Sequence, residues 1–310
     1  MDIFDEKNLS PMLIAENKSP FDDENYIYEL KLDGIRCLAY LDETGTELRN
    51  KRNKILNNIY PELSGINKQA QKRCILDGEL LVLNDSKPDF YEVQRRSLMT
   101  NPVKIEMAAK KMPVCFTAFD IVYCDGQITD LPLMERKKLL SDAVIGTPSL
   151  AVSRYIESNG IEFFNLAKQQ GLEGIVAKRR DSKYYFGKRT KNWIKMKALL
   201  DDDFVICGYY FKEGNVASVI LGAYQGDNLI YQSHVTMGVS RSDFKLISSA
   251  KRIAGSYYQG FPDYENSVWI APDLVCTVEF MERTPNGGLR QPVFKGLRED
   301  KLPEECIANA

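Results

Sequence analysis

Glu29-Leu30-Lys31-Leu32-Asp33-Gly34-Ile35-Arg36 is the stretch from which the rest of the chain is read. Residues 26–32 and 35–41 are rich in apolar, aromatic and β-branched side chains, and Asp33-Gly34 between them is a tight-turn pair. The stretch therefore predicts two strands joined in a hairpin. Lys31 then closes a strand, with its amine held toward whatever cleft lies there. A lysine attacks only as the free amine, so a nucleophilic role needs nearby positive charge or a metal. Arg36, Lys195 and Lys197 are the candidate cations. The plainer reading is a solvated lysine on a surface hairpin, and Lys-x-Asp-Gly alone is a weak signal.

Other stretches add to it. Residues 74–83 read as an apolar strand, and the period of two puts Asp77 and Glu79 on one face. Two carboxylates there repel unless a divalent metal or a basic side chain lies between them; a structural ion pair is the alternative. Glu173 opens the strand-like run 173–178, which ends at Lys178, and run 193–197 puts Lys195 and Lys197 on a shared face. Paired lysines are costly unless they face an anion such as a triphosphate. A strand-borne lysine, carboxylates of metal-ligand type and paired lysines suit phosphoryl or nucleotidyl transfer.

Charge is uneven along the chain. Residues 178–197 hold nine bases against one acid, with Tyr184, Tyr185, Phe186 and Trp193 interleaved, and Arg49, Lys51, Arg52 and Lys54 form a second cluster. Solvated faces are the default for such runs; basic residues mixed with aromatic ones also suit a nucleotide or nucleic acid. Further strands are expected at 114–123, 204–211, 216–224, 229–235 and 274–281, with helices at 132–140, 160–170 and 242–253. Asp201-Asp202-Asp203 interrupts the pattern as a domain boundary, giving domains 1–200 and 201–310. Several short strands with one helix in the second predict a small closed β-barrel of the oligonucleotide-binding (OB) type.

Composition excludes other chemistries. Seven cysteines without a Cys-x-x-Cys pair argue for buried thiols, and His234 as the sole histidine rules out a multi-histidine metal site. The start of the chain has no apolar core of a secretory signal, and no window approaches the roughly 20 apolar residues of a membrane span. A cytoplasmic protein without membrane contact is expected.

The ordered set Lys31-Leu-Asp33-Gly34-Ile-Arg36, Leu76-Asp77-Gly78-Glu79, Phe119-Asp120-Ile121-Val122-Tyr123, Glu173-Gly174-Ile175-Val176-Ala177-Lys178, Trp193-Ile-Lys195-Met-Lys197 and Leu297-Arg298-Glu299-Asp300-Lys301 resembles the motif series of ATP-dependent DNA ligases. The stretch from Arg290 to Lys301 is most similar to the ligase domain of bacterial ligase D, the end-joining type. The resemblance implies an α+β fold: a nucleotidyltransferase domain of antiparallel sheets with helices, ATP-grasp-like, followed by an OB-fold β-barrel. It also implies ATP and Mg²⁺ (or Mn²⁺) as cofactors and nicked duplex DNA as substrate.

By that resemblance Lys31 takes AMP from ATP as a phosphoramidate, passes it to the 5′-phosphate of a nick, and the 3′-hydroxyl displaces it. Glu29 then lies beside the adenine and Phe119 stacks on it, although Phe119 also reads as core. Arg36 and the Lys51/Arg52 pair contact ribose, phosphate or nick, and which of the two basic residues does so stays open. Glu79 and Glu173 serve ribose and metal, and Lys195 and Lys197 hold the α-phosphate. Arg298, Asp300 and Lys301 orient the leaving pyrophosphate after a conformational step. Asp33, Asp77 and Lys178 complete the motifs. A monomer recruited by end-joining or repair proteins is expected. The competing readings are an RNA ligase or mRNA guanylyltransferase of the same superfamily, and a non-catalytic nucleic-acid-binding protein.

Overall fold

The strand-forming runs assemble into three sheets, and the chain divides into two compact units, Met1–Ala198 and Leu199–Ala310. The computed structural model describes every residue except 1, 18, 213–215, 255–257, 259, 263, 265, 299–300 and 309–310. Asp300, an expected site residue, therefore lies outside the described residues.

The first unit carries β1 (Leu13–Glu16), β2 (Tyr26–Leu30), β3 (Ile35–Asp42), β4 (Gly45–Asn50), β5 (Cys74–Asn84), β6 (Lys87–Pro88), β7 (Val114–Cys124), β8 (Leu150–Val152), β9 (Tyr155–Ile156), β10 (Gly174–Arg179) and β11 (Arg189–Lys197). Its helices are α1 (Ile3–Glu6), α2 (Phe90–Ser97), α3 (Pro102–Lys111), α4 (Leu133–Ala143) and α5 (Gly160–Gln169). One sheet runs β4-β3-β5-β7-β8 with β6 added to β5, and the other runs β1-β11-β10-β2-β9. β5 and β7 are buried along most of their length, as a strand covered on both faces must be. One core contains Leu76, Leu80 and Phe116 with Leu140 of α4, and a second packs Ile175 and Met196 with Phe164 of α5. Between them Leu38, Tyr40, Ile75 and Phe119 of the first sheet meet Met12, Ile27 and Trp193.

The expected hairpin at Asp33-Gly34 does not form. β2 pairs with β10 and β9, whereas β3 pairs with β4 and β5, so residues 31–34 carry the chain from one sheet to the other. Gly34 shows why. A Cβ there would stand 2.2 Å from Leu80 O and 2.9 Å from Glu79 Cγ, so the bend is pressed against β5 rather than closing on itself. Lys31 consequently sits where the two sheets part.

The second unit holds β12 (Leu200–Lys212), β13 (Val216–Gln225), β14 (Asn228–Val235), β15 (Val268–Phe280), β16 (Val293–Arg298) and α6 (Arg241–Ser249). The sheet order is β14-β13-β12-β15-β16. One face packs Phe204, Val219, Cys276 and Phe294 with Ile247 of α6. The unit is OB-like, but the fully closed barrel expected from the sequence is not seen among the described residues. Register shifts after Ile206, Leu221 and Thr277 bend the sheet. A single bridge, Met237 to Val293, then joins the segment after β14 to β16 where closure would need a ladder. The run Asp201–Asp203 does not interrupt structure; it lies inside β12, where Asp202 pairs with Arg283 and Asp203 with Lys301.

Candidate active site

β10 fixes Lys31 from the side, because the Lys31 backbone N–H donates to Gly174 O at 2.9 Å. Gly174 has φ +134°, and a Cβ there would stand 2.1 Å from Met196 O. Only glycine lets β10 begin this close to β11, and the tight start turns Glu173 onto Lys31. The Glu173 carboxylate and the Lys31 ammonium form an ion pair. Burial raises the Glu173 pKa; Lys31 opposes that rise and Asp33 adds to it. The sequence had offered cations as the neighbours that activate Lys31. Its direct partner is instead a carboxylate.

The paired acids of β5 separate into two roles. Asp77 is fully buried and receives both Arg36 Nε and Nη2 at 2.6 Å, with the Tyr184 hydroxyl donating at 2.6 Å. Here the ion-pair alternative holds, so Asp77 positions Arg36. Burial alone would lower the Arg36 pKa, but Asp77 outweighs it and the guanidinium stays charged. Glu79 stands opposite Arg36 in the β3–β5 register. Burial pushes its pKa up to about 8, even though Arg36 and Lys31 pull it down.

A cavity of about 280 Å³ opens over Lys31, with Glu29, Arg36, Lys51, Glu79, Phe119, Lys178, Arg189 and Lys195 among its lining residues. Its aromatic end is made by Phe119 and Trp193, edge to face with centroids 6.0 Å apart. The Lys178 ammonium lies 4.2 Å from the first ring centroid and 4.3 Å from the second, and the Arg36 guanidinium lies 4.7 Å from Phe119. Phe119 is therefore both core and cavity wall. Glu29 Oε1 lies 2.6 Å from Lys137 Nζ and 3.0 Å from Lys178 Nζ, and the Ser153 hydroxyl donates to Oε2 at 2.9 Å. Burial would raise the Glu29 pKa, but Lys137 and Lys178 reverse it and the carboxylate is held below its usual range. Burial brings Lys178 down to about 8 against the pull of Glu29, and Lys137 adds to that lowering.

At the other end, Lys195 pairs with Glu16 at 2.9 Å, and burial together with Lys195 lowers the Lys197 pKa. Lys51 reaches the cavity, whereas Arg52, its exposed neighbour in the turn after β4, is not part of the lining. Among the described residues no group of three or more His, Cys, Asp or Glu is placed to hold a metal. In the second unit Arg298 and Lys301 both rest on Asp203, at 3.3 and 2.9 Å.

The sequence reading missed Lys137, Ser153 and Glu16. Lys137 was legible in principle. Leu133, Arg136, Lys137, Leu140 and Ala143 form the buried stripe of α4, and basic residues at stripe positions of a helix require buried anions.

A family model described as "ATP dependent DNA ligase domain" matches residues 11–197, and one described as "ATP dependent DNA ligase C terminal region" matches residues 212–301. The chain belongs to the ATP-dependent DNA ligase family. It is 30% identical over 321 residues to the multifunctional non-homologous end joining DNA repair protein LigD of Mycobacterium tuberculosis, covering 98% of this chain and 40% of that protein. It is 32% identical to the SPbeta prophage-derived DNA ligase-like protein LigB of Bacillus subtilis, covering 94% of this chain and 99% of LigB. The chain thus spans about 40% of the length of the mycobacterial LigD relatives and nearly all of LigB. Among solved structures, mycobacterial DNA ligase D complexed with ATP and MES aligns with a TM-score of 0.58 at 28% identity, over 98% of this chain and 99% of that one. The motif residues quoted from the sequence all fall within the matched spans, so the family and the cavity around Lys31 rest on the same residues.

Proposed function

We propose that the chain seals 5′-phosphate/3′-hydroxyl nicks in duplex DNA, using ATP through a lysyl-AMP on Lys31. The ion pair of Lys31, a residue of the cavity lining, with the largely buried side chain of Glu173 carries the reading. Lys31 Nζ forms a bond to the α-phosphorus of ATP and pyrophosphate leaves. The amine proton passes to Glu173, whose raised pKa makes it the better acceptor. The nick 5′-phosphate then takes AMP from Lys31, and the 3′-hydroxyl displaces AMP as the phosphodiester forms. Lys195, which lines the cavity, and Lys197 are assigned to the α-phosphate on the family resemblance, and so are Arg298 and Lys301 to the leaving pyrophosphate. Phe119 and Trp193 take the base, with Glu29 as its polar contact, and Lys51 is the stronger candidate for the nick.

Glu79 and Glu173 fit a divalent cation. Both face Lys31, and each feels the other or a second carboxylate as repulsion. Such a pair suits Mg²⁺, which is commonly held by one or two carboxylates, keeps waters and takes phosphate oxygens. Bound there, the ion would neutralise charge on the triphosphate. No described helix is long and apolar enough to cross a membrane; a cytoplasmic monomer that meets end-joining or repair proteins at DNA is the setting we propose.

Nick sealing with ATP, and labelling by ATP but not GTP, tests this reading; GTP labelling would favour the capping-enzyme alternative. Glu173→Gln keeps the shape of the side chain and removes the proton acceptor, so single-turnover lysyl-AMP formation is expected to fall about 10²-fold or more. A fall under threefold would remove Glu173 from that role. Lys178 carries its charge below about pH 8 and loses it above. Because ATP is an anion, its KM is expected to rise a few-fold as pH climbs from 7 to 9; a KM flat across that range contradicts it.

A further inference from the structure

Behind the base end of the cavity, Glu29 is paired with one more cation than the motifs account for. Glu29 comes from β2, and Lys178 from β10, Lys137 from α4 and Ser153 from the segment after β8 converge on its carboxylate. The side chains of Glu29, Lys137 and Lys178 are 2, 3 and 3% exposed. Such a cluster is costly to bury, and a single lysine would already cancel the charge of Glu29. Lys178 also stands against Phe119 and Trp193 in the cavity wall, whereas Lys137 is not among the cavity's lining residues; it pairs with the carboxylate and lies 5.6 Å from the ring of Tyr155. Its contact is with the reader of the base.

We infer that Lys137 is a positioning residue that sets base selectivity, by holding Glu29 as an ionised, fixed hydrogen-bond acceptor. This rests on the ligase reading above, in which the aromatic end takes the base. An ionised carboxylate only accepts hydrogen bonds, so it favours a purine bearing an amino group at C6 and disfavours one bearing an oxo group there. With Lys137 removed, Glu29 keeps one cation in a buried site and its affinity for a proton rises. The protonated acid carries an O–H, which donates to an oxo group. Selectivity should therefore relax toward the 6-oxo base while the chemistry at Lys31 is unchanged.

The test compares ATP with inosine triphosphate, which differs in having the oxo group at C6, for lysyl-AMP or lysyl-IMP formation by the full chain. Lys137→Met is expected to lower the ATP-to-inosine-triphosphate ratio of kcat/KM by about tenfold or more, mainly through KM for ATP, with kcat changed less than about threefold. Lys137→Arg, which keeps the cation, is expected to restore the ratio. If the methionine variant does not fold, Lys137→Gln against Lys137→Arg gives the same comparison, the glutamine variant losing the ratio. An unchanged ratio, or an equal fall for both nucleotides as a purely structural lysine would give, overturns the inference. A wild-type chain that takes up neither nucleotide overturns the ligase reading itself, a result distinct from either.

Discussion

Replacing Lys31 with alanine is expected to reduce ATP-dependent nick sealing by roughly 10⁴-fold or more, because the covalent route loses its nucleophile. The structure makes the variant a fair test. Lys31 is only half-buried, and its backbone is held by the Gly174 carbonyl, an interaction that the substitution leaves intact. Lys31→Arg is the informative companion. It keeps a positive charge beside Glu173, but a guanidinium does not deprotonate in proteins and so does not attack phosphorus. Equal loss in the two variants assigns the role to the amine. Sealing retained by Lys31→Arg, measured on the same nicked duplex, would reduce Lys31 to an electrostatic contact.

The largest stability effect is expected from Asp120→Ala. Asp120 and Arg136 are both fully buried, with Nε–Oδ1 and Nη2–Oδ2 contacts of 2.9 and 2.8 Å. Arg136 also donates to Leu131 O and Ser182 O, so it ties β7 and α4 to the segment before Tyr184. Removing the carboxylate leaves a fully buried guanidinium without its counter-charge, which costs about 3–5 kcal/mol. For a unit of this size the melting temperature should fall by roughly 6–20 °C. The effect should reach the active site as well, because Tyr184 bonds both Asp77 and the Met12 backbone. Scanning calorimetry checks it, and a loss below about 1 kcal/mol would contradict the account.

The particular residues show why the sequence was legible in some places and not in others. β5, β7 and β10 were readable because a strand covered on both faces is largely apolar, and enrichment in β-branched and aromatic side chains sets such runs apart from a buried helix. Period-two spacing correctly put Asp77 and Glu79 on one strand, but their different fates depend on Arg36, whose bidentate grip is a tertiary contact. The Asp33-Gly34 bend misled for the same reason. Turn chemistry says that the chain reverses, whereas the strand partners are chosen by packing against β5 and β10. Lys137 sat in plain view on the buried stripe of α4, yet its anion is more than a hundred residues away in sequence. The open edge of the OB-like sheet was likewise out of reach, since strand counts do not say whether the last ladder forms.

The amine of Lys31 is expected to become covalently charged with AMP. The most direct measurement is peptide mapping by mass spectrometry of the full chain incubated with ATP and Mg²⁺, without DNA. A single adenylate is expected on the peptide containing Lys31, released again when nicked DNA is added. An adenylate on another side chain, or sealing activity with Lys31 unmodified throughout, would contradict it.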